Sequence, residues 1–192
     1  MKNKILIING HPNSDSFNFA LSEAYKKGAA QSGKIVKILN LNELKFDLNQ
    51  TNFKLENVST DIKNSQEQII WADHLVWIYP IWWYTMPALM KIFIEQVFVS
   101  GFAFKYLETK NQKIVKWEKY LTGKTAELIA TMDAPPFYYK FIVKDPGYKS
   151  LKASFSYCGM KITGKTYFGS VKLSSETQKK KWLLEMENKS KK

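Results

Sequence analysis

Along this chain, short blocks of uninterrupted apolar residues alternate with longer stretches in which apolar positions return every three or four residues. The first block, Ile5-Leu6-Ile7-Ile8 within Lys4 to Asn9, is stopped by Gly10-His11-Pro12 and predicts a strand buried on both faces. From Phe17 onward, Phe17, Ala20, Leu21, Ala24 and Tyr25 share one helical face, and Gly33 is placed to end that helix. Lys34 to Leu41 reads as a second strand and Asp61 to Ala72 as a second helix. His74 to Tyr79 is a third apolar run, expected to stop at Pro80. Pro87 then opens a third helix through Leu89, Ile92, Phe93, Gln96 and Val97, because proline suits a first helical turn. A fourth strand is expected at Thr125 to Met132, a fourth helix at Gly147 to Tyr157, a fifth strand at Lys161 to Phe168 and a terminal helix from Ser174 onward.

Strands alternating with helices at this spacing imply right-handed crossovers and a parallel sheet covered on both faces: a three-layer, doubly wound α/β fold. No internal repeat, low-complexity block or linker divides the 192 residues, so a single domain over 1–192 is expected. In open sheets of this kind ligands bind beyond the carboxyl ends of the strands, where strand order reverses. That rule singles out three segments: Gly10 to Phe17, Pro80 to Met86, and the stretch from Asp133 onward.

Composition narrows the chemistry. With 45% apolar and 15% aromatic residues the chain can bury a sizeable core, which excludes disordered, coiled-coil and collagen-like classes. Its longest apolar runs, such as Leu75 to Ile78, fall short of the ~20 residues a membrane helix needs. The opening Met1-Lys2-Asn3-Lys4 lacks a signal-peptide pattern, and a cytoplasmic location is expected. A single cysteine, Cys158, excludes an internal disulfide framework, and with His11 and His74 isolated from each other no metal site is expected. The net charge of +12 comes entirely from lysine, with no arginine in the chain. Forked recognition of phosphates and guanine edges favours arginine, and most of these lysines are scattered, apart from Lys179 to Lys181 and Lys189 to Lys192. The charge therefore reads as a solvated lysine-rich surface rather than a nucleic-acid interface, which would lose affinity steeply with added salt.

The first loop, Gly10-His11-Pro12-Asn13-Ser14-Asp15-Ser16-Phe17-Asn18, joins a strand to a helix and can cradle a phosphate. Ser16 and Asn18 can donate from their side chains beside the free N–H groups of the helix start, and His11 can reach the same anion. Ser16 could equally serve as an ordinary helix cap. The second loop carries Trp82, Trp83 and Tyr84 in succession, and a turn cannot bury three consecutive rings. Some of them should face a planar ligand or a partner subunit. The third, Thr131-Met132-Asp133-Ala134-Pro135-Pro136-Phe137-Tyr138-Tyr139, offers hydroxyls and amides beside further aromatics, with two prolines to hold it as a wall or lid.

Gly159-Met160-Lys161-Ile162-Thr163-Gly164-Lys165-Thr166 satisfies the phosphate-loop pattern G-x-x-x-x-G-K-[ST]. That loop works only between a strand and a following helix, whereas here a helical pattern precedes and β-type residues follow, so it reads as a turn and a strand. No G-x-G-x-x-G follows the first strand, which leaves a dinucleotide-binding Rossmann site unsupported.

The combination of Gly-His-Pro-x5-Phe-Asn at 10–18, Pro-Ile-Trp-Trp-Tyr-x-Met-Pro-Ala at 80–88 and Gly-Phe-Ala-Phe at 101–104 resembles the NAD(P)H:quinone oxidoreductase family of flavodoxin-like flavoproteins. The resemblance implies a five-stranded parallel sheet in the order 2-1-3-4-5, a bound flavin (FAD, with FMN as the other choice) and a homodimer. It also implies two-electron, ping-pong hydride transfer from NADPH or NADH to quinones or similar acceptors. Carried over by position, His11, Ser16, Phe17 and Asn18 would hold the flavin phosphate. Pro80, Ile81, Trp82, Trp83 and Tyr84 would line the isoalloxazine, and Thr131, Met132 and Asp133 would meet its pyrimidine end. Nicotinamide and acceptor would stack between walls formed by Tyr84, Phe137, Tyr138 and Tyr139. Larger members pair a tyrosine with a histidine as a proton relay; here no histidine follows His74, and Tyr139 is the candidate proton donor. His74 opens the third strand, roughly 16 Å from its carboxyl edge at ~3.3 Å per residue, and reads as structural. Relatives in the same superfamily act as ancillary subunits of potassium efflux systems, so such a flavin-binding subunit is the competing expectation.

Overall fold

A computed structural model describes residues 3–48, 58–108 and 115–192. Met1 and Lys2 of the opening segment lie outside the described residues. The parallel sheet is built from β1 (Lys4–Asn9), β2 (Ile35–Asn40), β3 (His74–Pro80), β6 (Thr125–Thr131) and β7 (Lys161–Phe168). They lie in the order β2-β1-β3-β6-β7, which is the expected 2-1-3-4-5 once a separate two-stranded hairpin is counted. That hairpin, β4 (Phe104–Leu107) against β5 (Lys116–Lys119), was not legible in the sequence, since a four-residue strand is too short to show a period.

Helices cover both faces: α1 (Phe17–Gln31), α2 (Thr60–Trp71), α3 (Ala88–Val97), α4 (Pro146–Tyr157) and α5 (Glu176–Ser190). The alternation of side chains along each strand divides the core in two. Leu6, Ile8, Leu75, Trp77, Tyr79 and Leu128 pack with residues of α2, α3 and α4. Ile5, Ile7, Val76, Ile78 and Ile129 pack with Leu21 and Tyr25 of α1 and Met186 of α5. Burial on both faces explains why β1 and β3 read as unbroken apolar runs. No described helix is long and apolar enough to cross a membrane.

Pro80 does not stop β3 as expected but is its last residue, opposite Thr131. Ile81 N–H donates toward β6, so the position where proline lacks a donor faces β1, and β1 has already ended opposite Ile78. Gly159–Thr166 is a turn followed by β7, as its flanking pattern requires; Gly159 has φ +95 and Lys165 lies within the strand. His74 begins β3 at the opposite edge from the three loops, with Nδ1 2.7 Å from the Thr125 hydroxyl.

Candidate active site

The carboxyl ends of four strands finish level with one another. Gly10 N–H donates to the Ile78 carbonyl at 2.8 Å, Ile81 N–H to Thr131 at 2.7 Å and Met132 N–H to Phe168 at 2.9 Å. The three loops singled out from the sequence therefore rise from one line.

Helix α1 starts at Phe17 with Ser16 extended at its N-cap. The first amides of a helix lack intrahelical partners; those of Phe19 and Ala20 reach the Ser16 carbonyl, while Phe17 and Asn18 N–H have no backbone partner among the described residues. Ser16 makes no side-chain capping bond, and its hydroxyl is buried without a partner among the described residues. Asn18 is 2% exposed. Thr131 Oγ1 donates to Asn18 Oδ1 at 2.8 Å, which leaves Nδ2 as a buried donor with no partner among the described residues. Asn9, the polar residue that ends β1, accepts His11 N–H on Oδ1 at 3.1 Å and leaves its own Nδ2 unpartnered. Leaving a buried donor unsatisfied costs about 1–3 kcal/mol. Three such donors near the start of a helix can be satisfied by an anion that accepts from them, such as a phosphate.

His11 joins this cradle to the second loop. Asn13 N–H donates to its Nδ1 at 3.0 Å, and burial lowers the ring's pKa below 6.5. The ring is thus neutral at pH 7 with its proton on Nε2, a further donor. It meets Trp82 edge-on, with centroids 5.5 Å apart. Phe17 departs from its expected role: its ring packs against Phe168 and Trp182 at 6.4 and 5.9 Å, so only its backbone amide is available to a phosphate.

The aromatic loop is a two-residue turn closed by reciprocal bonds between Trp82 and Thr85. Trp83 and Tyr84 sit at φ 48 and 66, in the left-handed region that costs about 1–2 kcal/mol for a residue with a Cβ. Such a conformation persists where its surroundings over-determine it. Here the clamp is Tyr139, whose hydroxyl donates to the Tyr84 carbonyl at 2.9 Å and accepts Gly147 N–H at 3.0 Å. The three rings stay on the surface, with Trp82 44%, Trp83 94% and Tyr84 50% exposed.

The clamp corrects the expectation for Tyr139. It is 1% exposed, its proton is already directed to Tyr84, and burial is the chief cause that pushes its pKa up to about 12. Neither a wall nor a proton donor, it positions the aromatic turn. Removing the hydroxyl with Tyr139→Phe orphans the buried Gly147 N–H, at a cost of about 1–3 kcal/mol. The near-ultraviolet signal of the turn is expected to change, with no alteration in the pH profile of kcat. Loss of a limb in that profile would restore the hydroxyl to the chemistry.

The expectation for the loop after β6 needs correction too. Met132 spends its N–H on Phe168 and its carbonyl on Val171 N–H, and Thr131 spends its hydroxyl on Asn18. The Asp133 carboxylate accepts Lys172 N–H at 3.1 Å. Thr131 thus holds the Asn18 side chain, while Met132 and Asp133 fasten the strand end. Gly169 lets the prolines lie close: a Cβ there would overlap Pro136 and come within 2.6 Å of the Ala134 carbonyl oxygen. Of the exposed aromatics in this loop, Phe137 and Tyr138 remain at the rim. Asn9 went unrecognised in the sequence, though a lone asparagine closing an otherwise apolar strand was a usable signal. Among the described residues no group of His, Cys, Asp and Glu could hold a metal ion.

An open parallel sheet with unpartnered donors at its first strand–helix turn and an exposed aromatic turn at its third strand is an arrangement able to bind a phosphorylated, planar ligand. The chain belongs to the flavodoxin-like fold family, whose model matches residues 3–190. It is similar to an uncharacterised NAD(P)H oxidoreductase from Haemophilus influenzae, 28% identical over 183 residues and covering 91% of this chain and 88% of that one. A ribosyldihydronicotinamide dehydrogenase-like protein from Penicillium crustosum is 29% identical over 155 residues, 67% of this chain; the match spans 57% of that relative's length. Among solved structures, Smu.1420 from Streptococcus mutans is 30% identical with a TM-score of 0.78, covering 98% of both chains. An FMN-dependent NADH-azoreductase from Bacillus anthracis, solved in complex with FMN, shares the fold at 17% identity and a TM-score of 0.69, with 98% of this chain and 97% of that one covered. The resemblance carried by the three loop motifs is thereby borne out.

Proposed function

We propose that this chain, as one cytoplasmic domain working in a homodimer, is a flavin-dependent NAD(P)H oxidoreductase that reduces quinones or similar acceptors by ping-pong exchange. As a member of this family it is an oxidoreductase. The observation that carries the flavin is the trio of buried donors without a partner among the described residues: Asn9 Nδ2 at the end of β1, and Ser16 Oγ and Asn18 Nδ2 at the start of α1.

Bound there, a flavin supplies the capacity to take a hydride from NAD(P)H and pass it to an acceptor. The chain's own residues bind and orient. Ser16, Asn18 and the Phe17 and Asn18 amides hold the phosphate, Thr131 keeps the Asn18 amide facing it, and neutral His11 offers Nε2–H. Trp82 and Tyr84 border the planar rings and exclude water, on a turn whose shape Tyr139 maintains. Trp83 and Phe137, 94% and 64% exposed, give a second copy of the chain an apolar surface to cover.

Purified protein is expected to be yellow, to release FAD or FMN on denaturation, as mass spectrometry would decide, and to oxidise NADPH or NADH with menadione on parallel double-reciprocal lines. Colourless protein whose tryptophan fluorescence ignores added FAD and FMN would overturn the reading. Flavin retained without turnover would replace it with the ancillary-subunit role.

A further inference from the structure

Beyond the single π-type turn at Tyr138–Ile142 the chain enters α4 beside a cavity of about 570 Å³. Five lysines line it: Lys140, Lys144, Lys149, Lys152 and Lys165. One of them is neutralised, since Lys165 Nζ lies 2.6 Å from Asp145 Oδ2. Asp145 is itself buried and also accepts the Tyr167 hydroxyl at 2.6 Å. Among the described residues, none of Lys140, Lys144, Lys149 and Lys152 has a carboxylate within ion-pairing distance. Lys27 pairs with Glu187 and Lys179 with Glu176 at 2.9 Å each, whereas these four share one concavity instead. Lys140 Nζ lies 5.1 Å from the Tyr167 ring centroid and Lys152 Nζ 6.0 Å from that of Tyr148, contacts that leave their charge unneutralised; four ammonium groups around one concavity repel one another, and an anion relieves that repulsion.

Two aromatic side chains share the cavity. The Tyr148 ring is already covered, with Lys165 Nζ 4.0 Å from its centroid. Phe141 is 75% exposed and free to take a planar group. Phe141 and Lys140 stand on the same turn as Tyr138, a rim residue of the site. The cavity and the rim of the site are thus joined by one five-residue turn. A molecule with a ring at one end and phosphates at the other matches that order of surfaces.

We propose that this cavity takes the phosphate-bearing, adenylate end of the nicotinamide nucleotide, and that its unpaired lysines favour the 2′-phosphorylated donor, NADPH, over NADH. The assignment rests on the NAD(P)H-dependent reading above. With no arginine in the chain, recognition of the extra phosphate falls to lysine, which binds it as a point charge.

The test uses 2′,5′-ADP and 5′-AMP as fragments of the two donors, titrated calorimetrically into the whole protein. The 2′-phosphorylated fragment is expected to bind about tenfold or more tightly than 5′-AMP and to weaken with added salt. The variant Lys144→Gln/Lys149→Gln/Lys152→Gln should lose that preference, and its kcat/KM for NADPH should fall roughly ten- to hundredfold with much less change for NADH. A control with Lys63→Gln, Lys180→Gln and Lys181→Gln removes the same charge elsewhere and should keep the preference. If the first triple variant retains both the fragment preference and the NADPH:NADH ratio, or the control loses them equally, the cavity is not the site. Lysine-dependent fragment binding in a protein that oxidises neither nucleotide would uphold the cavity and remove the enzymatic reading. Turnover that is indifferent to these lysines would do the reverse.

Discussion

Asn18→Asp is expected to abolish flavin retention while leaving the fold in place. The substitution keeps the shape of the side chain and the oxygen that accepts from Thr131, but replaces the Nδ2 donor with a carboxylate oxygen. A charge-assisted bond worth about 1.5–3 kcal/mol is lost. A like-charge contact with the phosphate is added, costing about 1–4 kcal/mol at ~4 Å for an effective dielectric between water and protein surface. At 1.4 kcal/mol per decade, flavin affinity should fall by roughly a hundredfold or more. Fluorescence titration with FMN and FAD measures it, and a dissociation constant within about threefold of the parent would dismantle the cradle. The companion Ser16→Ala separates binding from stability. Its hydroxyl makes no capping bond, so removal forfeits nothing in the flavin-free fold and deletes a buried unsatisfied group. The flavin-free protein should melt about 2–4 °C higher, at ~1 kcal/mol for a chain of this size, while binding flavin more weakly.

The second large effect lies far from the site. Gly28 is buried in the last turn of α1, within a helix in which glycine is worse than alanine by up to about 1 kcal/mol on propensity alone. It is tolerated because α5 crosses against it: a Cβ on Gly28 would overlap the Glu187 carbonyl oxygen and the Ser190 hydroxyl and lie 2.8 Å from the Glu187 carbonyl carbon. Backbone atoms cannot swing aside, and the same contact is tied by Lys27 to Glu187 at 2.9 Å and by Lys34 Nζ to the Ser190 carbonyl at 2.9 Å. Gly28→Ala should therefore destabilise by about 2–4 kcal/mol, overpacking outweighing the propensity gain, with melting roughly 5–15 °C lower. Stabilisation by ~1 kcal/mol, as propensity alone would give, would show that the two helices do not approach so closely.

The loops of the site were legible because each feature that marks them is local. Apolar runs ending at Gly10 and Pro80 locate strand ends, three successive rings cannot all be buried, and serine with asparagine at a helix start offers an anion donors beside free backbone N–H groups. The fate of particular atoms was not local. Tyr139 counted as a proton donor by position along the chain, but its hydroxyl lies between Tyr84 and Gly147, residues far from it in sequence or across a turn. Phe17 turned its ring into the core because α5 brings Trp182 to it. Lys165 fell within a phosphate-loop pattern and instead answers the buried Asp145, which no spacing rule connects to it.

By itself, then, the order of apolar runs and helical periods determined a parallel sheet covered on both faces and the edge where three loops converge, because burial of period-two and period-3.6 faces admits few topologies, while the strand order came from the resemblance of the loop motifs. Only the tertiary structure decided which polar atoms at that edge are already satisfied and which still lack a partner. Hydrogen-bond satisfaction depends on distances of a few ångströms between residues such as Asn18 and Thr131, 113 positions apart in the chain.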